Sequence, residues 1–336
     1  MGGGRAFYIA CQTGDKATVE KKLTKLKSNE ICVRRSNGST ALHAAALNGH
    51  KAIVQLLVNR CCARAIRDND GQTAYELAFN YEIQQLLTRH NKHSRFEIKP
   101  HFFQSPAFGL WRYIVNSHRL VECGYHEKSG VEERRACALY WIQTVLTNVD
   151  ERNLMVSYFE NAYSADSAEP LLIAMTEETD FHWKLNEALI AEPDSRAFKE
   201  NELHGPLLIA RNLFKAIYDG KHGANYNGHL LYAKATLTNE EIQMYTNKID
   251  QQSAMSLKIF WSLTKSRDNA VDYDGNVLFI LTCKELTTKR TISLEKLSGY
   301  VDEKEVLMAP MTKMQVKSVT AIDTNKYEIN LLYWDW

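Results

Sequence analysis

Apolar residues recur at two different periods along this chain, and the change between them divides it. Up to about residue 220 they return every three or four positions, the spacing of one helix face. Residues 53–57, Ile-Val-Gln-Leu-Leu, carry such a stripe. Residues 108–116, 132–146 and 154–163 repeat it, with Asp150 or Asn153 placed to cap the last. A further helix begins at residues 171–176 and leads into 179–189, and another runs from 205 to 218 and stops near Asp219-Gly220. After a Gly- and Asn-rich loop at 220–228 the pattern shortens. Residues 229–235 read as an extended segment, and 277–283, 306–308, 314–320 and 327–333 as strands. Helices first and strands last predict an α+β arrangement rather than alternating β/α units. No stretch approaches the ~18 apolar residues of a membrane-crossing helix.

A repeat is written into the first ninety residues. Asn37-Gly38-Ser39-Thr40-Ala41-Leu42-His43-Ala44-Ala45-Ala46 is echoed by Asp70-Gly71-Gln72-Thr73-Ala74-Tyr75-Glu76-Leu77-Ala78, an offset of 33. Asn48-Gly49-His50 makes a turn before the 53–57 stripe, and a degenerate earlier copy reads from Ala6 to Leu23, with Thr13-Gly14-Asp15 at its turn. Gly38 and Gly71 supply backbone freedom at a hairpin tip, the Thr hydroxyl suits a helix cap, and small alanines let paired helices stack. This segment resembles an ankyrin array of two and a half to three repeats over residues 5–90, with Ala41 where Pro is usual. The resemblance implies stacked helical hairpins that bind a protein. His43 reads as a hydrogen-bonding residue at a helix start, not as a base or metal ligand.

Composition narrows the function classes. The 336 residues hold 41 Lys+Arg against 40 Asp+Glu, a net charge of +1, which gives no electrostatic footprint for nucleic acid. A hydrophobic content of 45% with 24% charged residues excludes wholesale disorder. The length predicts two or three domains. Residues 1–92 are expected to form the repeats, 93–165 a linker and helical segment, and 166–336 the α+β domain. Residues 88–95 are polar and basic and read as the solvated linker. The Met-Gly-Gly-Gly-Arg start has no apolar run behind it, and the seven cysteines, two of them adjacent at 61 and 62, form no disulfide framework. The expected setting is the reduced cytoplasm, with no membrane partner. Histidines and cysteines nowhere take a metal-ligand spacing, and neither a Gly-x-Gly-x-x-Gly nor a phosphate loop is present.

The chemistry concentrates in Leu297-Ser298-Gly299-Tyr300-Val301-Asp302-Glu303-Lys304-Glu305-Val306-Leu307-Met308-Ala309-Pro310. Glu303 and Glu305 run directly into an apolar strand and are expected on one side of an extended segment. Two carboxylates so placed suit a cationic transition state and a nucleophile that needs orienting.

With these residues, the stretch from about 170 to 320 resembles the arginine-specific mono-ADP-ribosyltransferase family. The family's pieces occur in order. Met175-Thr176-Glu177-Glu178-Thr179-Asp180-Phe181 with Leu185-Asn186 resembles its Tyr-Thr-x-Glu-Thr…Leu-Asn helix, and Leu231-Tyr232-Ala233 its Leu-Tyr-Arg strand. Residues 260–270 resemble its Ser-Phe-Thr-Ser-Thr-Ser strand, residues 275–280 and 292–300 follow, and Glu303 to Pro310 match Glu-x-Glu-Val-Leu.

The resemblance implies a helical subdomain and two small β-sheets around a cleft that takes NAD as substrate. ADP-ribose would pass to arginine side chains of proteins, with nicotinamide as leaving group. Glu305 would then stabilise the oxocarbenium ion, and Glu303 would orient the acceptor guanidinium and help remove its proton. Read as Thr264-Lys265-Ser266, the Ser-Thr-Ser triplet keeps a hydroxyl at its first position through Thr264; aligned from Ser262-Leu263-Thr264, it places Lys265 there. Tyr232, Ala233, Lys234 and Ser266 fall at the cofactor-binding positions. Two departures stand out: Ala233 occupies the place of the phosphate-holding Arg, and neighbouring Lys234 could replace it only if a bulge re-aimed it. The implied function is therefore a protein-arginine transferase positioned by its repeats. The alternatives are an inactive pseudo-transferase serving as an interaction module, or an NAD hydrolase with water as acceptor.

Overall fold

The computed structural model describes residues 3–89, 99–102, 129–190, 200–220, 226, 228, 230–251, 254–272, 274–283 and 290–334. The helix expected at 108–116 lies outside the described residues. The chain divides into two compact units. The first comprises Met1–His90, Ile142–His182 and Leu297–Val301, and the second Asn91–Trp141, Trp183–Lys296 and Asp302–Trp336.

In the first unit α1 (Gly3–Thr13) and α2 (Lys16–Leu23) form one hairpin, and α4 (Ala41–Leu47) and α5 (Lys51–Asn59) another, with the single turn α3 (Ser28–Ile31) between. Helix α6 (Tyr81–Leu87) follows. The period of 33 has a contact behind it. Gly38 takes φ +77°, and an added Cβ there would fall 2.6 Å from the Asn69 backbone nitrogen, while the Asn69 N–H donates to the Asn37 carbonyl at 3.0 Å. Successive loop tips thus touch through backbone, which only glycine permits.

Thr40 caps α4, and its N–H donates to Nδ1 of His43 at 3.2 Å. One repeat later the Thr73 N–H donates to the Glu76 carboxylate at 2.8 Å, the same reciprocal cap with the commoner acidic partner. His43 also uses Nε2 on the Gln72 carbonyl at 3.1 Å, so both ring nitrogens are spent on structure. The Asp70–Ala78 copy forms only a turn. The Phe79 N–H bonds back to the Ala46 carbonyl at 3.0 Å and draws the chain out before a helix can propagate.

Helix α7 (Ser129–Val145) belongs to the second unit up to Trp141 and to the first from Ile142, and α8 (Val149–Ser164) and α9 (Glu169–Thr176) lie in the first. Helix α8 starts earlier than its apolar stripe indicates. Its cap is Asn148, whose side chain accepts from the Asp150 and Glu151 N–H groups at 2.9 and 3.2 Å, rather than Asp150 or Asn153. Asp150 instead pairs with Arg60 at 2.8 Å.

The second unit holds α10 (Phe181–Ile190) from Trp183 onward, α11 (Glu200–Asp219), α12 (Asn239–Gln251) and α13 (Arg267–Val271). Its strands are β1 (Leu230–Ala235), β2 (Met255–Ser256), β3 (Trp261–Thr264), β4 (Val277–Thr282), β5 (Thr291–Ser293), β6 (Glu305–Met308), β7 (Lys313–Asp323) and β8 (Lys326–Trp334). They form one sheet in the order β2-β7-β8-β4-β1-β3-β6-β5, with β4 and β8 parallel and the other neighbours antiparallel. The two small sheets expected from sequence are two blocks of this sheet. Their junction, β1 against β3, is a single residue pair, Tyr232 with Thr264.

Alternation along the strands sends Leu231, Ala233, Ala235, Trp261, Leu263, Phe279, Val306 and Met308 into one apolar core. Burying such side chains stabilises by roughly 1.5–3 kcal/mol each for the larger ones, so this face fixes the register of the whole sheet. Among the described residues no helix is long and apolar enough to cross a membrane, and no group of three or more His, Cys, Asp or Glu could hold a metal ion.

Candidate active site

Three strands bring three of the singled-out residues into one row. Tyr232 pairs with Thr264, and Thr264 pairs with Glu305. Directly opposed residues project from the same face of a sheet. Tyr232, Thr264 and Glu305 therefore share the face opposite the apolar core, at the junction of the two blocks. Ser262 and Lys234, each two residues along, share it too.

Glu305 is fully buried, Glu303 is 4% exposed, and Lys304 between them faces solvent. The in–out–in alternation expected of an extended segment is present, but the backbone that makes it differs. Val301–Glu303 is a 3-10 turn, Lys304 takes the left-handed φ of +49°, and the strand begins only at Glu305.

Hydrogen bonds tie this turn down from both sides. The Thr264 hydroxyl donates to the Glu303 carbonyl at 2.8 Å, and the Lys265 N–H donates to the Lys304 carbonyl at 3.2 Å. The Glu305 carbonyl accepts from the Leu294 N–H at 2.9 Å. The Asn269 side chain adds a bond to the Asp302 carbonyl at 2.7 Å.

Thr264 and Ser266 spend their hydroxyls on this scaffold. Thr264 Oγ1 also accepts the Ser266 N–H at 3.1 Å, and Ser266 Oγ caps α13 by accepting the Asn269 N–H at 3.3 Å. Lys265 turns elsewhere, with Nζ 2.9 Å from Ser293 Oγ and 3.1 Å from a Glu295 carboxylate oxygen. Of the two alignments of the triplet, the pairing with Glu305 is made by Thr264. Ser262 Oγ is fully buried on the same face with no hydrogen-bond partner among the described residues.

Strand β1 corrects an expectation. Ala233 is fully buried in the apolar core opposite Phe279, so its side chain points away from Glu305. Any residue at that position would do the same. Lys234 lies on the Glu305 face without a bulge, because β1 pairs with β4 in unbroken register from Leu230–Thr282 to Ala235–Val277. Its ammonium donates to the Val271 carbonyl, at the end of α13, at 3.0 Å.

Asn186 positions β3 from behind. Its Nδ2 donates to the Phe260 carbonyl at 2.9 Å and its Oδ1 accepts the Phe260 N–H at 3.0 Å, the pairing a neighbouring strand would give. That explains the Leu-Asn of the helix motif: Leu185 and Asn186 are both buried, and the amide locks the residue next to Trp261.

Sequence reasoning missed a second cluster, inside the first unit, where Arg64 and Arg89 surround Tyr300. Positions 64 and 300 carry no spacing signal, and the one local sign is the Gly299 that precedes the tyrosine.

Comparison with known proteins adds the following. Residues 7–97 match the family described as "Ankyrin repeats (3 copies)", and this segment is an ankyrin array. A stretch of 93 residues is 33% identical to the human "Ankyrin repeat domain-containing protein SOWAHB", covering 25% of this chain and 12% of that protein's length. Among solved structures, the ADP-ribosyltransferase HopU1 of Pseudomonas syringae pv. Tomato DC3000 is 14% identical, covering 60% of this chain and 97% of that one, with a TM-score of 0.42. The type III effector XopAI from Xanthomonas axonopodis pv. citri is 14% identical over 67% of this chain and 98% of its own, with a TM-score of 0.43. Exoenzyme S from Pseudomonas aeruginosa, crystallised with human 14-3-3 protein beta and carba-NAD, is 14% identical over 59% and 88%, with a TM-score of 0.39.

Proposed function

We propose that this chain transfers ADP-ribose from NAD to arginine side chains of proteins with release of nicotinamide, that its ankyrin repeats engage a protein partner, and that it works in the reduced cytoplasm. The observation that carries the reading is the row Tyr232–Thr264–Glu305, with Glu303 one left-handed residue away. A fully buried carboxylate on a face shared with a buried hydroxyl and a lysine fits a substrate with a cation-forming ribose and a diphosphate. Loss of nicotinamide leaves positive charge on the ribose, and a pre-placed anion in a dry site opposes that charge more strongly than water would.

Each residue then has one task. Glu305 stands beside the ribose and holds its developing charge. Glu303 receives the guanidinium of the acceptor and takes its proton. Thr264 keeps both carboxylates in place through the turn it ties. Lys234 supplies the cation for the diphosphate, the task that the motif alone would have given to position 233. Tyr232 fills the row between Lys234 and Thr264, and Ser262 offers a free hydroxyl.

The test is label transfer from NAD to an arginine-rich acceptor, with Glu305→Gln alongside. We expect the variant to lose at least ~100-fold in rate, the usual effect of removing one pre-placed electrostatic group. Equal transfer by wild type and variant refutes the reading; nicotinamide release without transfer would identify water as the acceptor. One observation favours a second reading, an inactive interaction module: the Lys234 ammonium is already engaged by the Val271 carbonyl at 3.0 Å. Calorimetry separates the two, since such a module has no reason to bind NAD.

A further inference from the structure

Two cysteines of the ankyrin array meet inside the first unit. Cys32, just past α3, and Cys62, just past α5, hold their sulfurs 3.4 Å apart. A disulfide needs ~2.05 Å, so the gap to close is about 1.4 Å, within reach of side-chain rotation.

The backbone on both sides is fixed. Helix α5 runs out into Cys61 at a left-handed φ of +48°, where the Cys61 N–H donates to the Val58 carbonyl at 3.0 Å and the Cys62 N–H to the Leu57 carbonyl at 3.2 Å. These two bonds make a Schellman ending, which directs the next side chain, Cys62, into the apolar core of the array. Opposite, the Ile31 N–H donates to the Lys27 carbonyl at 3.0 Å, and Cys32 packs against the same core. The Ala63 N–H donates to Cys32 Sγ at 3.3 Å, so that sulfur already joins the two segments.

The two sulfurs are not equivalent. Cys62 is 3% exposed, whereas Cys32 is half-buried and within reach of a small solute. Hydrogen bonds from the Cys62 thiol and the Ala63 N–H hold the Cys32 thiol below its ordinary pKa, against the effect of burial. The same hydrogen bond and burial push Cys62 up. Burial pushes Cys61 up to about 11 and Cys11 up to about 12, so neither competes as a thiolate.

We propose that Cys32 and Cys62 form a redox-modification site, which a peroxide oxidises to a disulfide stapling α3 to the end of α5 and which small-molecule thiols restore. The Cys32 thiolate attacks one peroxide oxygen, the O–O bond breaks, and hydroxide leaves to take up the thiol's proton as water. Cys32 then carries a sulfenic acid. The Cys62 sulfur attacks Cys32 Sγ, the S–O bond breaks, and the expelled hydroxide takes the Cys62 proton as a second water. Two thiols and one peroxide thus give one disulfide and two waters. The return consumes two small thiols, which leave as their own disulfide. Cross-links made and undone in this way are the kind that a reducing compartment permits. The bond joins residues 30 positions apart and restricts the unfolded chain, so the oxidised array should resist urea better.

The probe is hydrogen peroxide on the full-length protein, read by peptide mapping without reductant. Wild type should yield the Cys32–Cys62 peptide, lost again on dithiothreitol, with a urea midpoint raised by about 1 M while the bond is present. With dimedone as a sulfenic acid trap, Cys62→Ser should gain adduct on Cys32 at least tenfold faster than Cys32→Ser gains it on Cys62. Cys61→Ser should cross-link within threefold of the wild-type rate. The peptide map and the midpoint need no variant, so they decide the matter even where a serine variant fails to fold. Absence of the Cys32–Cys62 peptide, a bond to Cys11 or Cys61 in its place, or a midpoint that does not rise overturns the proposal. None of these results depends on whether the chain transfers ADP-ribose.

Discussion

Asn186→Ala tests whether the helix motif serves the site through backbone pairing. Asn186 is 1% exposed and makes two bonds to Phe260, whose own backbone is buried just before β3. Alanine leaves a buried N–H and a buried carbonyl unmatched, at about 1–3 kcal/mol each, so the loss should total about 2–6 kcal/mol. At ~2–4 °C per kcal/mol for a unit of ~150–250 residues, melting should fall by about 4–24 °C. Trp261 lies next to Phe260 in the core, so it contributes to the tryptophan fluorescence that follows urea unfolding. Asn186→Asp adds a sign test. It keeps an acceptor for the Phe260 N–H but sets a carboxylate against the Phe260 carbonyl, so it should cost more at neutral pH than under mildly acidic conditions, where the proton restores a donor. A loss under ~1 kcal/mol for Asn186→Ala would refute the pairing argument, since two stranded buried groups cannot cost so little.

Lys234→Met should weaken NAD binding about 10–100-fold, the worth of one charge-assisted hydrogen bond of ~1.5–3 kcal/mol, while leaving the melting temperature unchanged; a Kd within twofold of wild type on calorimetry counts against it. His43 is kept below its ordinary pKa chiefly by burial, so it is neutral in the folded repeats. The unfolded chain then binds the extra proton, and stability, full above about pH 6.5, should decline as the pH falls toward the folded value. His43→Gln keeps a capping partner for Thr40 and removes the titration, so its urea midpoint should depend less on pH between 7.5 and 5.5; parallel profiles for the two proteins would contradict this.

What could be read in advance was whatever has a short range. The period of 33 showed because the loop tip at Gly38 meets the next one, at Asn69, backbone to backbone. The strands showed because one face is apolar throughout, from Leu231 to Leu331. The pair Glu303 and Glu305 was visible as residues, but its geometry was not. The Thr264 hydroxyl that ties the turn lies 39 positions from the carbonyl it reaches. Lys304 gives no sign of positive φ, since neither glycine nor asparagine marks it. The facing of Ala233 and Lys234 depends on which of them meets Phe279, a partner that alternation alone does not name. Arg64 and Tyr300, 236 residues apart, lie beyond any local pattern.

The residue between the two glutamates carries the last test. A left-handed L-residue costs about 1–2 kcal/mol, and Lys304 makes no return through its exposed side chain. What holds it is its own carbonyl, bonded to the Lys265 N–H, together with fixed flanks. Glycine removes the steric cost but enlarges the freedom of the unfolded chain by a comparable ~0.5–1 kcal/mol, so Lys304→Gly should leave stability nearly unchanged. A β-branched side chain fits this region worst of all. Lys304→Val should therefore lose about 1–2 kcal/mol in urea unfolding, and transfer should fall with it, because the backbone can relax only by letting Glu303 swing away from Glu305. The charge is lost equally in both variants, so charge cannot account for a difference between them. If valine is tolerated as well as glycine, the left-handed turn does not set the spacing of the two carboxylates.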